Sequence, residues 1–359
     1  MTRLNAESGT RAARFAGTTP LGLDNVDVAA LDRYLRETIG GFSGPLEVQQ
    51  FRGGQSNPTY FLTSPSGRYV VRRRPAAGVE QAAHAVDREY RVLKALETSD
   101  VPVPRALAFC QDLSVIGCQF YVMSFVEGRL FWDLSLPGLT LSERAAIYDA
   151  MNETLARLHM LDPVSLGLAD YGKPAGYMAR QVRRWTGQYR ATCDQAIPAM
   201  EALAAWLPEH LPSDEAALIH GDYRLDNIIW HPSEPRILAV LDWELSTLGH
   251  PIADMIGQCI YWHFKSGTLA GLAGEDLASL GIPDEKSYIR AYLRRTGRAQ
   301  IGDFRPFYAF AMFRLAAILF GVARRGEQGT ATNDSARDFG FAALEVAELG
   351  AQFVHESGR

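Results

Sequence analysis

The sequence predicts an α+β protein of two lobes, a small β-rich N-terminal lobe and a larger, mainly helical C-terminal one. Three observations carry that reading. The chain has 359 residues, beyond the size at which a single hydrophobic core usually stops growing. Short β-rich runs broken by Gly, Pro and Ser recur between Leu46 and Phe125, the signature of strands and hairpins. From Thr140 onward apolar residues recur at helical spacing instead. Glu127 and Gly128 break the pattern between the two regimes, which gives a leader over 1–20, one lobe over 21–127 and a second over 128–359.

Composition is that of an ordinary enzyme, 47% hydrophobic and 21% charged with a net charge of -5. A mildly acidic total gives no general attraction to nucleic acid, so no nucleic-acid partner is expected. Cys110, Cys118, Cys193 and Cys259 are scattered without a CxxC pair or a metal-ligand spacing, which reads as reduced, buried thiols of a cytoplasmic protein. The leader lacks the apolar centre of a secretory signal and reads as a flexible tail. Pro306 to Val322 imitates a membrane span, but Arg314 sits in its middle and no second such run exists. A buried core helix and no membrane partner are the expectation.

The elements follow in order. Residues 21–40 read as a helix led by Asp27 and Leu31, with Gly40 and Gly41 ending it. Leu46 to Phe51 is a strand, RGGQSNPT a polar turn, and YFLTSPSGRYVVRRRP two strands joined as a hairpin by Ser-Pro-Ser-Gly. Glu80 to Leu96 has helical period, with Glu89 beside its apolar face and able to point at the sheet. VPVP at Val101 to Pro104 forces extended chain, and strands follow at Ala106 to Cys110 and Cys118 to Phe125. Thr140 and Glu143 form a capping box before the helix of Ile147, Met151, Leu155 and Leu158. Tyr177 to Cys193 is an Arg-rich helix and Ile197 to Leu207 a third. Short strands at Ile228 to Trp230 and Ile237 to Leu241 precede helices at Pro251 to His263, Glu285 to Arg295, Pro306 to Val322 and Ser335 to Phe353.

The stretch HGDYRLDNIIWHPSEPRILAVLD, His220 to Asp242, organises the chemistry. Asp222 and Asn227 have the spacing of a phosphoryl-transfer catalytic loop, and Asp242 emerges from an apolar strand. Such an Asp takes a proton from a substrate hydroxyl while the Asn and the second Asp hold a metal. His220 and Tyr223 are scaffold in that reading. Taken alone, HGDxxxxN is equally an Asx-type turn, Asp242 an N-cap or ion-pair partner, and Asp254 either structural or catalytic. Arg72 and Arg74 share one strand face by alternation, Arg73 the other; a solvated strand end is the alternative for all of them.

With these residues in view, HGDYRLDNIIW followed by LAVLDWELSTLGHPIAD resembles the aminoglycoside phosphotransferase and choline kinase superfamily, whose fold is similar to that of protein kinases. GGQSNPTY, HAVDREYRVLKAL, VPVP and YVM look more closely like the phosphotransferase-like domain found fused to some acyl-CoA dehydrogenases and standing alone in bacteria. The resemblance implies a protein-kinase-like two-lobe fold, ATP and Mg2+ as cofactors, and a small-molecule hydroxyl acceptor. It makes Asp222 the base, Asn227 and Asp242 the metal ligands, and Glu89 the helix carboxylate that pairs with a basic residue of the sheet. Ser56 and Asn57 would donate to the phosphates, and the backbone of Tyr121 to Ser124, with Met123, would meet adenine. Arg72 stands where the family pattern has a lysine. Arg180, Arg183, Arg184 and Arg190 would be either a basic wall for an anionic acceptor such as a CoA thioester or a wet helix face. A nucleotide-binding pseudokinase and an aminoglycoside phosphotransferase are the competing readings.

Overall fold

The computed structural model describes residues 18–20, 26–51, 57–75, 86–267, 269–300, 302–327 and 338–355. Its elements run β1 (Thr18–Pro20), α1 (Val28–Thr38), β2 (Glu47–Phe51), β3 (Thr59–Ser64), β4 (Gly67–Arg73), α2 (Val86–Leu96), β5 (Ala106–Cys110), α3 (Leu113–Ile116) and β6 (Phe120–Ser124). They continue with α4 (Leu141–Met160), α5 (Tyr177–Thr192), α6 (Pro198–Trp206), β7 (Ala217–Ile219), β8 (Ile228–Trp230), β9 (Ile237–Val240), β10 (Thr247–Gly249) and α7 (Pro251–Cys259). The chain closes with α8 (Leu277–Leu280), α9 (Glu285–Arg295), α10 (Arg305–Glu327) and α11 (Asp338–His355). The fold is α+β, and it forms two compact units. One draws on Met1–Phe131 and Leu225–Leu245, the other on Trp132–Arg224 and Ser246–Arg359.

The first unit is built on a six-stranded sheet of order β1-β2-β3-β4-β6-β5, antiparallel at every pairing. Strand alternation turns Tyr60, Leu62, Val71, Phe120 and Val122 to one face, where they join Leu31 and Leu35 of α1 in a single core. Each fully buried aliphatic or aromatic side chain there contributes roughly 1.5–3 kcal/mol. Asp27 starts α1 by accepting from Ala30 N at 2.8 Å, and Gly41, just past its end, takes φ +79°. The other sheet face carries Arg72 and Tyr121, neighbours across β4 and β6, and α2 packs on β5 and β6.

Leu225–Leu245, expected in the second lobe, groups with the first unit because its backbone is stitched there. Val240 N donates to Pro102 O at 2.8 Å, and Arg129 and Trp230 exchange hydrogen bonds at 2.8 and 2.9 Å. Gly128 permits that approach, since a Cβ there would lie 2.2 Å from the Trp230 carbonyl oxygen.

In the second unit the expected capping box opens α4: Thr140 N donates to Glu143 Oε2 at 2.8 Å and Glu143 N to Thr140 Oγ1 at 3.3 Å. Helix α10, long and apolar enough to cross a membrane, has 67% of its apolar window buried and packs against α5, α6, α7 and α11. It is the core helix of this unit. β7 and β10 form a short antiparallel pair that delivers the chain to His220.

Candidate active site

In the first unit the site is built around one guanidinium. Arg72 Nε lies 3.0 Å from Glu89 Oε2, and Arg72 Nη2 reaches both Asp242 Oδ1 at 2.7 Å and Glu244 Oε2 at 3.0 Å. Glu89 is 1% exposed and also accepts from Asn57 Nδ2 at 2.8 Å and Tyr121 OH at 3.0 Å. Burial raises the Glu89 carboxyl above its ordinary range against the pull of Arg72. For Arg72 burial opposes the charge, yet Glu89 and Asp242 outweigh it and hold the guanidinium well above its usual value. Buried charges survive only when paired in this way.

Asp242 follows β9 with φ +68°, a left-handed conformation rare for a residue with a Cβ and tolerated best by Asp and Asn. Leu241 N donates to Asn227 O at 2.8 Å, so the backbone brings the two expected metal ligands alongside each other; the Asn227 side chain is buried. Asp242 and Glu244 both accept from the one Nη2. An amide oxygen and carboxylates are hard donors, and magnesium is usually held by one or two carboxylates together with substrate phosphates. The residues present fit that ion. Among the described residues no cluster of three His, Cys, Asp or Glu forms a self-sufficient metal site.

In the second unit the loop after β7 presents Asp222. Gly221 takes φ +82°, and the Asp254 carboxylate in α7 grips the loop from below. Its Oδ2 accepts from His220 N and its Oδ1 from Gly221 N, both at 2.8 Å. His159 Nε2 lies 3.1 Å from Oδ2, and His159 Nδ1 lies 2.7 Å from Tyr292 OH. Burial pushes Asp254 upward, but the His159 hydrogen bond and charge, with His220, hold it below the usual carboxylate range. His220 Nδ1 accepts from Asp222 N at 3.2 Å, and Tyr223 OH donates to Met151 O at 3.0 Å. The Asp222 carboxylate is half-buried with Arg224 Nε at 3.3 Å. A cleft of about 60 Å3 opens beside it, lined also by Arg224, Tyr261 and Arg314.

Other expectations meet a different geometry. Ser56 lies outside the described residues. Asn57, expected to donate to phosphates, is buried and donates to Glu89. Tyr121 to Ser124, expected as a hinge, lies wholly within β6, which pairs with β4 on one side and β5 on the other. The backbone at Met123 is therefore shared between two strands, and chain without two sheet neighbours begins only after Ser124. On α5, Arg183 and Arg184 are exposed, Arg190 pairs with Glu201, and Arg180 donates to the carbonyls of Lys173 and Ala175; this is the wet face. Sequence reasoning missed Arg314, whose Nη2 donates to Gly221 O at 2.6 Å. Its signal was a lone charge inside an apolar helix.

Within the first unit, a sheet arginine ion-paired to a helix carboxylate and to the aspartate that follows β9 is the strand-to-helix pair of a kinase-like fold; the second unit by itself holds a loop aspartate, Asp222. The chain belongs to the phosphotransferase enzyme family, whose profile matches residues 47–299. A Ralstonia eutropha protein described as an aminoglycoside phosphotransferase is 49% identical, with a TM-score of 0.85 over 93% of this chain and 100% of that one. Mouse acyl-CoA dehydrogenase family member 10 is 44% identical over 333 residues, 92% of this chain and 31% of the mouse protein. The chain spans less than half the length of the curated relatives it matches. A complex of the aminoglycoside phosphotransferase APH(4)-Ia with AMP-PNP and hygromycin B shares the fold at 16% identity, with a TM-score of 0.57 over 91% of this chain and 99% of that one.

Proposed function

We propose that this chain is an ATP-dependent small-molecule kinase that phosphorylates a hydroxyl, with Asp222 as base. The hydroxyl oxygen forms a bond to the γ-phosphorus, the bond from that phosphorus to the ADP oxygen breaks, and the hydroxyl proton passes to Asp222. Asn227 and Asp242 hold Mg2+ in this reading, and the ion neutralises phosphate charge. Arg72 serves where the family pattern has a lysine, with a planar fork in place of a point charge. Its ion pairs with Glu89 and Asp242 are the observation that carries the proposal, because they supply the strand-to-helix pair a kinase-like site requires. The backbone after Ser124 meets adenine. A hydroxyacyl-CoA or related metabolite is the proposed acceptor, supported by relatives named as acyl-CoA dehydrogenase family members.

The test compares wild type with Asp222→Asn, using labelled ATP, Mg2+ and a panel of hydroxylated acyl-CoAs, hydroxy acids and aminoglycosides. Transfer by wild type and its loss in the variant, with Mg2+-dependent ATP binding retained, is the expected result. Absence of transfer and of ATP hydrolysis above the variant, with ATP still bound, identifies a nucleotide-binding pseudokinase instead.

A further inference from the structure

Arg314 lies in the middle of α10 between Phe313 and Leu315, on the long core helix of the unit. Placing a guanidinium there is costly unless something neutralises it. Yet no described carboxylate lies within ion-pair distance of Arg314. Its Nη2 donates to the Gly221 carbonyl at 2.6 Å, its guanidinium carbon stands 5.7 Å from the Trp185 ring centroid, and its Nε is buried without a hydrogen-bond partner. One carbonyl and one aromatic face leave most of a guanidinium's donors without a protein acceptor, and its charge without a carboxylate partner.

The neighbours sharpen the point. Arg314 lines the same cleft as Asp222, Arg224 and Tyr261. The Asp254 carboxylate in its wall is already engaged by two backbone N–H groups and His159, and Asp222 has Arg224 beside it. The uncompensated charge of the cleft is therefore positive and sits at Arg314. We propose that Arg314 is the acceptor-specificity residue: its guanidinium binds an anionic oxygen group, carboxylate or phosphate, of the molecule whose hydroxyl Asp222 activates. The inference rests on the phosphotransfer reading and adds the residue that recognises the acceptor's anionic group. A polycationic acceptor would meet like charge there. The exposed arginines of α5, which spacing alone made candidates for this role, are replaced by a single residue from the core helix.

The full-length protein is assayed as wild type, Arg314→Met and Arg314→Lys with 3-hydroxybutyrate, its CoA thioester, 1,3-butanediol and kanamycin. Malonate binding is followed in parallel by calorimetry and thermal shift. Arg314→Met is expected to raise the acceptor KM for the anionic acceptors at least ten times more than for butanediol, with the ATP KM within twofold of wild type. It should also abolish malonate binding, and Arg314→Lys should restore part of both. Sensitivity of the free acid points to a carboxylate, and sensitivity confined to the thioester points to the carrier's phosphates. A fall in kcat equal for all acceptors with unchanged KM makes Arg314 only an anchor for Gly221 and overturns the proposal. So does malonate binding that survives in Arg314→Met. If wild type transfers phosphate to nothing but binds malonate through Arg314, the anion site stands and the phosphotransfer reading fails.

Discussion

Replacing Asp254 with Asn exchanges one carboxylate oxygen for an NH2 group and removes the charge. In the folded protein the two oxygens accept from His220 N, Gly221 N and the His159 ring. An Asn oxygen can serve one side only, so at least one buried backbone N–H faces a donor and goes unpaired. Leaving such a group unsatisfied costs about 1–3 kcal/mol, and stripping a buried charged partner from its set costs roughly 3–5 kcal/mol in total. The loss falls on the Gly221–Asp222 backbone, so misplacement of the base should lower kcat by about 100-fold while the KM for ATP changes little. Urea unfolding followed by tryptophan fluorescence and circular dichroism reads the stability, and steady-state kinetics the rest. The pH dependence adds a sign. Asp254 is held below the usual carboxylate range in the fold, so its stabilisation is complete above the unfolded value of about 3.9 and is lost as pH falls through the lower, folded value. Wild type should lose stability below about pH 4 more steeply than Asp254→Asn, which has no carboxyl at that position to titrate. A variant within about 0.5 kcal/mol of wild type at neutral pH, with unchanged kcat, would refute the anchoring role.

Arg72→Ala should destabilise the first unit by roughly 3–5 kcal/mol, because Glu89 is left buried without its cation; Arg72→Lys should recover part of that and give a higher KM for ATP, both read by denaturation and kinetics. Gly221→Ala forces a Cβ into φ +82°, costing roughly 1–2 kcal/mol, and should lower kcat more than it lowers the melting temperature. Thr140→Ala removes the capping box of α4 and should cost about 1 kcal/mol in urea unfolding with kinetics unchanged.

What could be read from the sequence was whatever local periodicity or strand alternation dictates. The Thr140–Glu143 cap, the β3–β4 hairpin, the inward turn of Glu89 and the strand alternation that sets Arg72 and Arg73 on opposite faces all follow from rules spanning a few residues. What escaped depends on partners far along the chain. The strand at Cys118 to Phe125 is legible locally, but that Tyr121 to Ser124 are flanked on both sides is decided by β4 and β5. Asp254 could not be assigned until its carboxylate met His220 and Gly221, and Arg314 needed the Gly221 carbonyl 93 positions away. The arginines of α5 had the right charge on the wrong face, since only Met178, Val182, Trp185 and Tyr189 of that stripe turn inward with Tyr177.

The pairing of Arg72 with Asp242 also bears on how the protein is made. Asp242 leaves the ribosome 170 residues after Arg72, a delay of roughly 10–30 s at about 5–20 residues per second. From Ser124 onward in that interval the nascent first unit has its sheet strands and α2 but lacks β8, β9 and two of the carboxylates that meet Arg72. The N-terminal unit is thus completed by a segment translated after much of the second unit. A fragment ending at Phe131 would carry a guanidinium built for three anions and supplied with one.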